Sequence, residues 1–364
     1  MKITFVMGSG FTLSGGDRVI AMYADRLQKR GHDVFVISRP SFSPKWQHQV
    51  RSLIKGKGWL PKPEKTASHF DHLNVPHALI DEFRPVVDAD VPDADVVIAT
   101  WWETAEWVAT FSARKGVKAY FIQHHEVFDY LPKERVRATY RLPLHKITIA
   151  QWLVDLMQTE YGDPNVCCVP NSVDTDLFSA PLRDKQSIPT IGMLYNLTPW
   201  KGCDISLKAF EIAAQTISNL RLVALGEFTL SPELPLPPET EYVYRPDQTL
   251  LKDTYAKCDA WLFASRLEGF GLPILEAMAC RTPVIGTPAG AAPELLTDGA
   301  GILVEPEDPE AMAQAIVRLC NLPNSEWKTM SDAAYYKATH YTWEDATDQF
   351  EAALYQAVRS KQTV

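Results

Sequence analysis

Two glutamates and the glycines between them form the segment with the clearest chemical pattern. Glu268 and Glu276 lie eight residues apart, with Gly269, Gly271 and Pro273 between them. Glycines let a backbone approach a ligand closely, and proline suits the first residue of a helix. The unpaired N–H groups of such a helix start bind anions, so the segment predicts a phosphate cradle. Two carboxylates there would repel phosphate, so we interpret them as acceptors for sugar hydroxyls on either side.

Two further sets of candidate ligand-binding residues lie at the ends of other predicted elements. Lys201 comes after a predicted strand at 190–195, and a cation there would neutralise the charge of a departing diphosphate. Gly15 and Gly16 open the first predicted helix, where their amides would meet a phosphate or a sugar. The alternative interpretations are that Lys201 is an ordinary surface lysine and that the two glycines form a plain tight turn.

Aromatic and histidine side chains follow two predicted strands of the first half. Trp101, Trp102 and Glu103 follow one strand and are acceptor-side candidates, since the tryptophans would stack on an acceptor ring. His124 and His125 follow the next strand, and His125 is a further acceptor-side candidate. Packing of the tryptophans and a loop position for the histidines remain open as alternatives.

The elements that must position these residues alternate regularly. Short apolar runs alternate with helical patterns from residue 2 onward, which is typical of a parallel sheet wrapped by helices, and the pattern restarts at 190. We therefore predict an α/β fold of two tandem Rossmann-like domains facing each other across a cleft: residues 1–180 on the acceptor side, 181–341 binding the nucleotide sugar, and a helix at 342–364 that returns to the first domain. Ligands of such sheets bind at the carboxyl ends of strands.

The composition of the 364 residues excludes several classes of protein. A net charge of −9 argues against a nucleic-acid binder, and six cysteines without a C-x-x-C pair argue against a zinc site or a disulfide framework. No apolar run reaches the roughly 20 residues of a membrane span. These features predict a cytoplasmic protein.

The basic segment 39–65 predicts either peripheral contact with the cytoplasmic face of an anionic membrane or an ordinary acceptor-side helix and loop.

Two metal or cofactor patterns are rejected. Gly8-Ser9-Gly10 lacks the third glycine of a dinucleotide fingerprint, since Leu13 stands in its place. The D-x-D strings at 88–90 and 93–95 precede a strand, away from the expected ligand edge, and we interpret them as solvated turn carboxylates. We predict no metal and no cofactor.

The segment EGFGLPILEAMACRTPVI resembles the E-x7-E signature of the family-four retaining glycosyltransferases, which have the two-domain GT-B architecture. The resemblance extends over nearly the whole chain, through SGGDRVI, PNSVDTDLF, WKGCD, YAKCDAWLFASRLEGFG and GAAPEL. It implies that Glu276 holds the ribose of the nucleotide, that Glu268 lies against the transferred sugar, and that a histidine, best matched by His124, lies near that sugar.

The resemblance also implies a set of donor-binding residues and one departure. With Glu268, Lys201 and His124 as catalytic residues, the donor-binding candidates are Gly16, Lys201, Arg245, Arg266, Gly269, Phe270, Gly271, Leu272 and Glu276. The family usually has an arginine where this chain has Met193, and Arg266 or Arg245 is the candidate replacement.

The resulting hypothesis is transfer of a sugar from a nucleoside diphosphate sugar to a glycan, lipid-linked or small-molecule acceptor, with retention of configuration. The alternatives are a nucleotide-sugar 2-epimerase of related architecture and a noncatalytic protein that binds sugar nucleotides. The nucleotide base, the sugar, the acceptor and the oligomeric state are left open.

Overall fold

The computed structural model describes residues 1–41, 50, 53–55 and 67–362, so most of the basic segment 39–65 lies outside the described residues. Contacts divide the chain into two compact units, the first formed by Met1–Pro170 with the segment from Thr347 onward, and the second by Asn171–Ala346. The sequence predicted the divisions after residues 180 and 341.

The first unit contains a parallel sheet with strand order β3-β2-β1-β4-β5-β6-β7. Its strands are β1 Lys2–Met7, β2 Asp33–Ser38, β3 His77–Leu79, β4 Val96–Ala99, β5 Val117–Ile122, β6 His145–Thr148 and β7 Val166–Cys168. Its helices are α1 Gly15–Lys29, α2 Trp102–Thr110, α3 Lys133–Thr139 and α4 Gln151–Thr159. The central strands are apolar runs buried on both faces, as parallel sheets require.

The second unit contains a parallel sheet with strand order β10-β9-β8-β11-β12-β13. Its strands are β8 Thr190–Leu194, β9 Arg221–Gly226, β10 Glu241–Tyr244, β11 Ala260–Phe263, β12 Val284–Gly286 and β13 Gly301–Leu303. Its helices are α5 Cys203–Ala214, α6 Leu251–Ala256, α7 Leu272–Ala279, α8 Ala292–Leu295, α9 Pro309–Asn321 and α10 Asn324–Thr339. The predicted fold of two Rossmann-like sheets is confirmed.

A last helix, α11 Trp343–Gln362, packs on the first unit, as its apolar spacing predicted. Phe350 is fully buried, and its ring stacks on Tyr23 at 4.2 Å between centroids. At its surface, Glu351 accepts hydrogen bonds from His32 at 2.9 Å and Arg30 at 3.0 Å. The helix thus joins the sheet and α1 of the first unit through both apolar and charged contacts.

The sequence did not predict three short strands. β3, β10 and β13 are three or four residues long and partly exposed, so they lack the apolar runs that identify the buried strands. Each is an edge strand that pairs with one neighbouring strand of its sheet. In the part of the chain that the structure describes, no helix has the length and apolar character needed to cross a membrane.

Candidate active site

Lys201 and Glu268, 67 residues apart, meet at the carboxyl edge of the second sheet. Lys201 ends a short turn after β8, and Glu268 lies in the loop after the neighbouring strand β11. The Lys201 ammonium donates to Glu268 Oε1 at 2.6 Å, and Ser265 Oγ donates to the same oxygen at 2.9 Å. The Glu268 side chain is 11% exposed and that of Lys201 28% exposed, so the ion pair is partly shielded. Topology thus brings two predicted catalytic residues into contact.

Gly202 lets the turn that carries Lys201 pack closely against the loop that carries Glu268. Its φ of 63° lies in the left-handed region, and a Cβ there would lie 1.9 Å from the Ala264 carbonyl oxygen. The loops are also joined by a hydrogen bond from Arg266 N to Trp200 O at 2.8 Å. Glycine is required at this position for both conformation and space.

Helix α7 starts immediately after this loop. Gly271 precedes it with a φ of 97°, and the helix begins at Leu272, so Pro273 is its second residue and not its first as predicted. As a glycine, the N-cap residue Gly271 has no side chain that could cap this start. The predicted donor-binding residue Phe270 has a buried side chain, and its carbonyl accepts from Ala291 N at 2.8 Å. We therefore assign its side chain to packing.

Glu276 lies one turn into α7 and is only 7% exposed. Tyr255 Oη on α6 donates to Glu276 Oε2 at 2.8 Å. A buried carboxylate needs such partners, because burial without them is costly. The bond holds Glu276 in place near the start of the helix.

The loop after β12 packs against the segment that carries Glu268. Gly290 has a φ of 61°, and a Cβ there would lie 2.6 Å from the Phe270 carbonyl oxygen and 3.0 Å from Glu268 Cβ. Three strand ends, those of β8, β11 and β12, therefore contribute to one group of residues. The sequence pattern of this loop did not reveal this supporting role.

Arg266 was predicted to bind the donor, but its guanidinium is already fully engaged within the protein. Its nitrogens donate to Asp204 at 2.9 and 2.8 Å, to Glu307 at 2.5 and 2.9 Å, and to the Pro199 carbonyl at 2.6 Å. These bonds use all five N–H donors of an arginine, and those to Asp204 and then Glu307 raise its pKa. We therefore assign Arg266 to holding the loops around Lys201 together.

The other candidate replacement for the missing arginine has a different position. Arg245 is exposed at the carboxyl end of β10, with a φ of 45°, and its Nε donates to Glu227 O at 3.1 Å. Met193 is fully buried in β8, where its side chain belongs to the core of the second unit. A charged side chain at residue 193 would therefore be buried in that apolar core.

In the first unit, the predicted residues Gly16 and His124 also lie after strand ends. Gln123 Nε2 donates to the Gly16 carbonyl at 3.2 Å, which ties the start of α1 to the end of β5. His124 Nδ1 lies 3.0 Å from the His125 carbonyl, so that nitrogen carries the proton. His125 Nε2 bonds Tyr161 Oη at 2.7 Å, and burial lowers the pKa of His125 to about 4. His125 is therefore neutral near pH 7 and engaged in a local contact.

Of the three acceptor-side candidates after β4, two have structural roles. Trp102 is 4% exposed and packs in the core, under the Arg135 guanidinium at 5.0 Å. Glu103 forms an ion pair with Arg39. Trp101 is half-buried and lies against Gly8, where a Cβ would come within 2.9 Å of its ring. The pattern W-W-E could not show which side chain faces inward.

A buried glutamate to which sequence reasoning gave no role organises this edge of the first sheet. Glu126 accepts from Trp102 N at 2.7 Å, at the start of α2, and its own N–H donates to Tyr140 Oη at 2.8 Å. Burial raises its pKa well above the usual range. The carboxyl group joins the loops after β4 and β5.

Aromatic side chains missed by sequence reasoning surround His124. The aromatic cluster, as we call it, comprises His124, Phe128, Tyr130 and Trp152. The first three follow β5, and Trp152 lies in the first turn of α4, after the neighbouring strand β6. Alternation along a strand could not reveal them, because they lie in a loop and at a helix start.

Comparison with known families assigns both halves of the chain. The model described as Glycosyltransferase Family 4 matches residues 13–177, and the model described as Glycosyl transferases group 1 matches residues 174–337. The chain belongs to the family-four glycosyltransferases. The predicted resemblance is thereby confirmed at the level of the family.

Similar proteins support this assignment of the family-four chain. It is 36% identical over 107 residues to O-antigen chain mannosyltransferase B of Escherichia coli, covering 29% of this chain and 27% of the relative. It is 27% identical to a D-inositol 3-phosphate glycosyltransferase of Acidothermus cellulolyticus, covering 96% and 87%. Several other relatives are matched over about half of their length, for example 50% and 47% for two further D-inositol 3-phosphate glycosyltransferases.

Solved structures share the fold of this family-four chain. Anabaena HepE in complex with UDP and glucose has a TM-score of 0.74 at 18% identity, covering 98% of this chain and 100% of that one. Sucrose-phosphate synthase from Thermosynechococcus elongatus has a TM-score of 0.72 at 15% identity, covering 99% and 100%.

The D-x-D carboxylates of the family-four chain are engaged with neighbours. Arg84 donates to both oxygens of Asp90 at 2.6 and 2.8 Å, and Asp93 pairs with Arg114 at 2.8 Å and Lys115 at 3.0 Å. Among the residues described here, no group of three or more histidine, cysteine, aspartate or glutamate side chains is arranged to hold a metal ion.

Proposed function

We propose that this chain transfers a sugar from a nucleoside diphosphate sugar to an acceptor hydroxyl, with retention of configuration. The observation that carries the proposal is the Lys201–Glu268 pair beside the start of α7, where the N-cap residue is Gly271, with Glu276 one turn further along the helix. A diphosphate would bind between the ammonium group and the helix amides, and the flanking carboxylates would accept hydrogen bonds from sugar hydroxyls.

Lys201 would stabilise the leaving group. An ammonium has three N–H donors, so the bond to Glu268 leaves donors for a phosphate oxygen. Negative charge grows on the diphosphate as its bond to the sugar breaks, and a preorganised donor at such a position contributes about 3 to 4 kcal/mol. Glu268 would hold Lys201 in place and accept a hydrogen bond from the transferred sugar.

The remaining steps follow from a front-face reaction. The acceptor oxygen bonds to the anomeric carbon on the face from which the diphosphate leaves, and the departing diphosphate takes the acceptor proton. Glu276, held by Tyr255, would bind the ribose hydroxyls, and His124 would contact the donor sugar. We propose that no metal is needed, because the ammonium and the helix start supply the positive charge.

The relatives suggest the classes of substrate. Their names include mannosyltransferases, a GDP-mannose-dependent enzyme and D-inositol 3-phosphate glycosyltransferases, and HepE was solved with UDP and glucose. We propose a UDP- or GDP-linked hexose as donor and a hydroxyl-rich acceptor, glycan or lipid-linked. We further propose that the protein acts in the cytoplasm, with peripheral contact to a membrane through 39–65.

The test uses the purified full chain with UDP, GDP and their hexose derivatives. Binding should raise the melting temperature by mass action. Nucleotide release should depend on an added acceptor and persist in EDTA, and NMR of the product should show the donor's anomeric configuration. Absence of any nucleotide-dependent shift would overturn the proposal, and acceptor-independent nucleotide release with sugar isomerisation would identify an epimerase instead.

A further inference from the structure

The aromatic cluster lies at the ligand-binding edge of the first sheet. The rings of Phe128 and Tyr130 stack with centroids 5.4 Å apart and planes within 6° of each other. His124 lies 5.0 Å from Phe128 and 6.4 Å from Trp152. Tyr130 is 66% exposed, so the stack ends in an aromatic ring open to solvent.

The loop that carries the stack is held by short-range bonds. Phe128 N donates to Glu126 O at 2.9 Å, and Leu131 N donates to Phe128 O at 3.0 Å. Glu126 is itself buried and bonded to the start of α2. The rings are therefore presented by an ordered loop, which reduces the entropy lost when a ligand binds.

We propose that Phe128 and Tyr130 form the acceptor subsite, and that the acceptor binds there through the flat face of a sugar ring. The inference rests on the proposed function, which requires an acceptor beside the transferred sugar. It adds the residues that hold the acceptor and the part of the acceptor that they recognise. Because His124 contacts Phe128, this subsite adjoins the residue proposed to touch the donor sugar.

Charged residues next to the two rings in the sequence favour a sugar over an acyl chain. Asp129, between the two aromatic residues, has a side chain that is 97% exposed and pairs with Lys133 at 2.5 Å. A pyranose has an apolar face of C–H groups and a rim of hydroxyls, so it can cover the ring while its rim bonds the charged groups. An acyl chain has no hydroxyls with which it could bond these charged groups.

The sequence-predicted acceptor residues support this reassignment. Trp102 is buried and Glu103 is paired with Arg39, so neither presents a free ring or carboxylate at this edge. The loop after the neighbouring strand β5 instead supplies a stacked pair of rings, of which Tyr130 is exposed to solvent.

The experiment measures binding of single sugar rings. Saturation-transfer NMR is recorded with methyl α-mannopyranoside and methyl α-glucopyranoside on the wild type, Tyr130→Ala, Tyr130→Phe and Tyr336→Ala. Tyr336 is a matched control, since it is 62% exposed and stacks on His340 at 4.8 Å in the second unit. In parallel, melting temperatures with UDP and GDP report the nucleotide site, and cosedimentation with phosphatidylglycerol vesicles reports lipid binding.

We expect Tyr130→Ala to reduce the signals of the sugar C–H protons about fivefold, consistent with the loss of one stacked ring. Tyr130→Phe and Tyr336→Ala should retain them. Glycoside signals that are absent in the wild type, or unchanged in Tyr130→Ala, would overturn the acceptor subsite, as would vesicle binding that requires Tyr130. If UDP and GDP still raise the melting temperature in those cases, only this inference fails; if neither does, the proposed function fails.

Discussion

At the scale of the residue, the candidate site depends on how each charged side chain is paired. Among the described residues, Lys201 pairs with Glu268 and keeps part of its surface exposed, whereas Arg266 uses all its donors on Asp204, Glu307 and a carbonyl. The two cations lie in adjoining loops, but their bonding suits them to different tasks. An ammonium with unused N–H donors is suited to binding a ligand, and a guanidinium with all five donors bonded is suited to holding loops together.

The first prediction concerns Glu276. Glu276→Ala should weaken binding of UDP or GDP roughly tenfold to a hundredfold, because a hydrogen bond to a charged group contributes about 1.5 to 3 kcal/mol. Calorimetric titration measures the affinity. Tyr255→Phe is the control, since it removes the bond between the two side chains but keeps the carboxylate. Equal losses in both variants would show that Glu276 acts only through packing.

The second prediction concerns Lys201. Lys201→Ala should lower kcat about a hundredfold to a thousandfold, because it removes a preorganised donor to the leaving group. Ser265→Ala removes the other hydrogen bond to Glu268 Oε1 and should have a much smaller effect. Steady-state kinetics with saturating nucleotide sugar measures both variants. A kcat unchanged in Lys201→Ala would contradict the leaving-group role.

At the scale of the element, the site is built by loops that follow strands β8, β11 and β12. Strand pairing fixes where each loop begins, and two left-handed glycines, Gly202 and Gly290, let the loops approach within contact distance. Helix α7 then starts directly from one of these loops. The precision of the site therefore depends on close backbone contacts that only glycine permits.

The third prediction compares two glycines with similar backbone conformations. Gly202 and Gly162 have φ values of 63° and 69°, but a Cβ at Gly202 would meet Ala264 O at 1.9 Å, whereas one at Gly162 would meet nothing within 4 Å. Gly162→Ala should cost about 1 to 2 kcal/mol of unfolding free energy from conformation alone. Gly202→Ala should cost more than that, since backbone must also move. Denaturant titration checks this, and equal costs would contradict the proposed loop contact.

At the scale of the whole molecule, the chain forms two units, and its last helix returns to the first of them. Phe350 supplies the buried contact with Tyr23, and Glu351 supplies the charged contact with Arg30 and His32. Residues more than three hundred positions apart therefore stabilise one unit. Unfolding of the first unit should accordingly require release of the C-terminal helix.

The fourth prediction is a pH dependence of this contact. Burial raises the pKa of Glu351, but hydrogen bonds from His32 and Arg30 outweigh it, so the folded pKa lies below the ordinary value of 4.5. A lowered carboxyl pKa stabilises the fold above the unfolded value, and this stabilisation is lost as the pH falls through the folded value. The wild type should therefore melt at a higher temperature than Glu351→Gln above about pH 4.5.

That difference in melting temperature should shrink as the solution is acidified further. Glu310→Gln, at the exposed start of α9, serves as the control for loss of a surface carboxylate. A difference between wild type and Glu351→Gln that is constant over the whole pH range would contradict the role of the ionised carboxyl group.

Much of the fold could be predicted from local patterns. The helix Gly15–Lys29 and the strands Lys2–Met7 and Asp33–Ser38 have the predicted bounds, because apolar periodicity and the glycine after the helix are local signals. The edge strand β10 carried no such signal. The hydrogen bonds of Arg266 could not be predicted either, since its partners Asp204 and Glu307 lie far away in sequence.

By itself, the sequence determined the two α/β units, the family and the glutamate–glycine segment, because these depend on residue types at short, regular spacing. Only the tertiary structure decided which candidates face solvent, which are tied to other side chains, and which loops meet. Trp102 and Trp101 are adjacent in sequence, yet one is buried in the core and the other is half-buried. Such outcomes depend on contacts between residues distant along the chain, and these form only when the sheet brings its strand ends together.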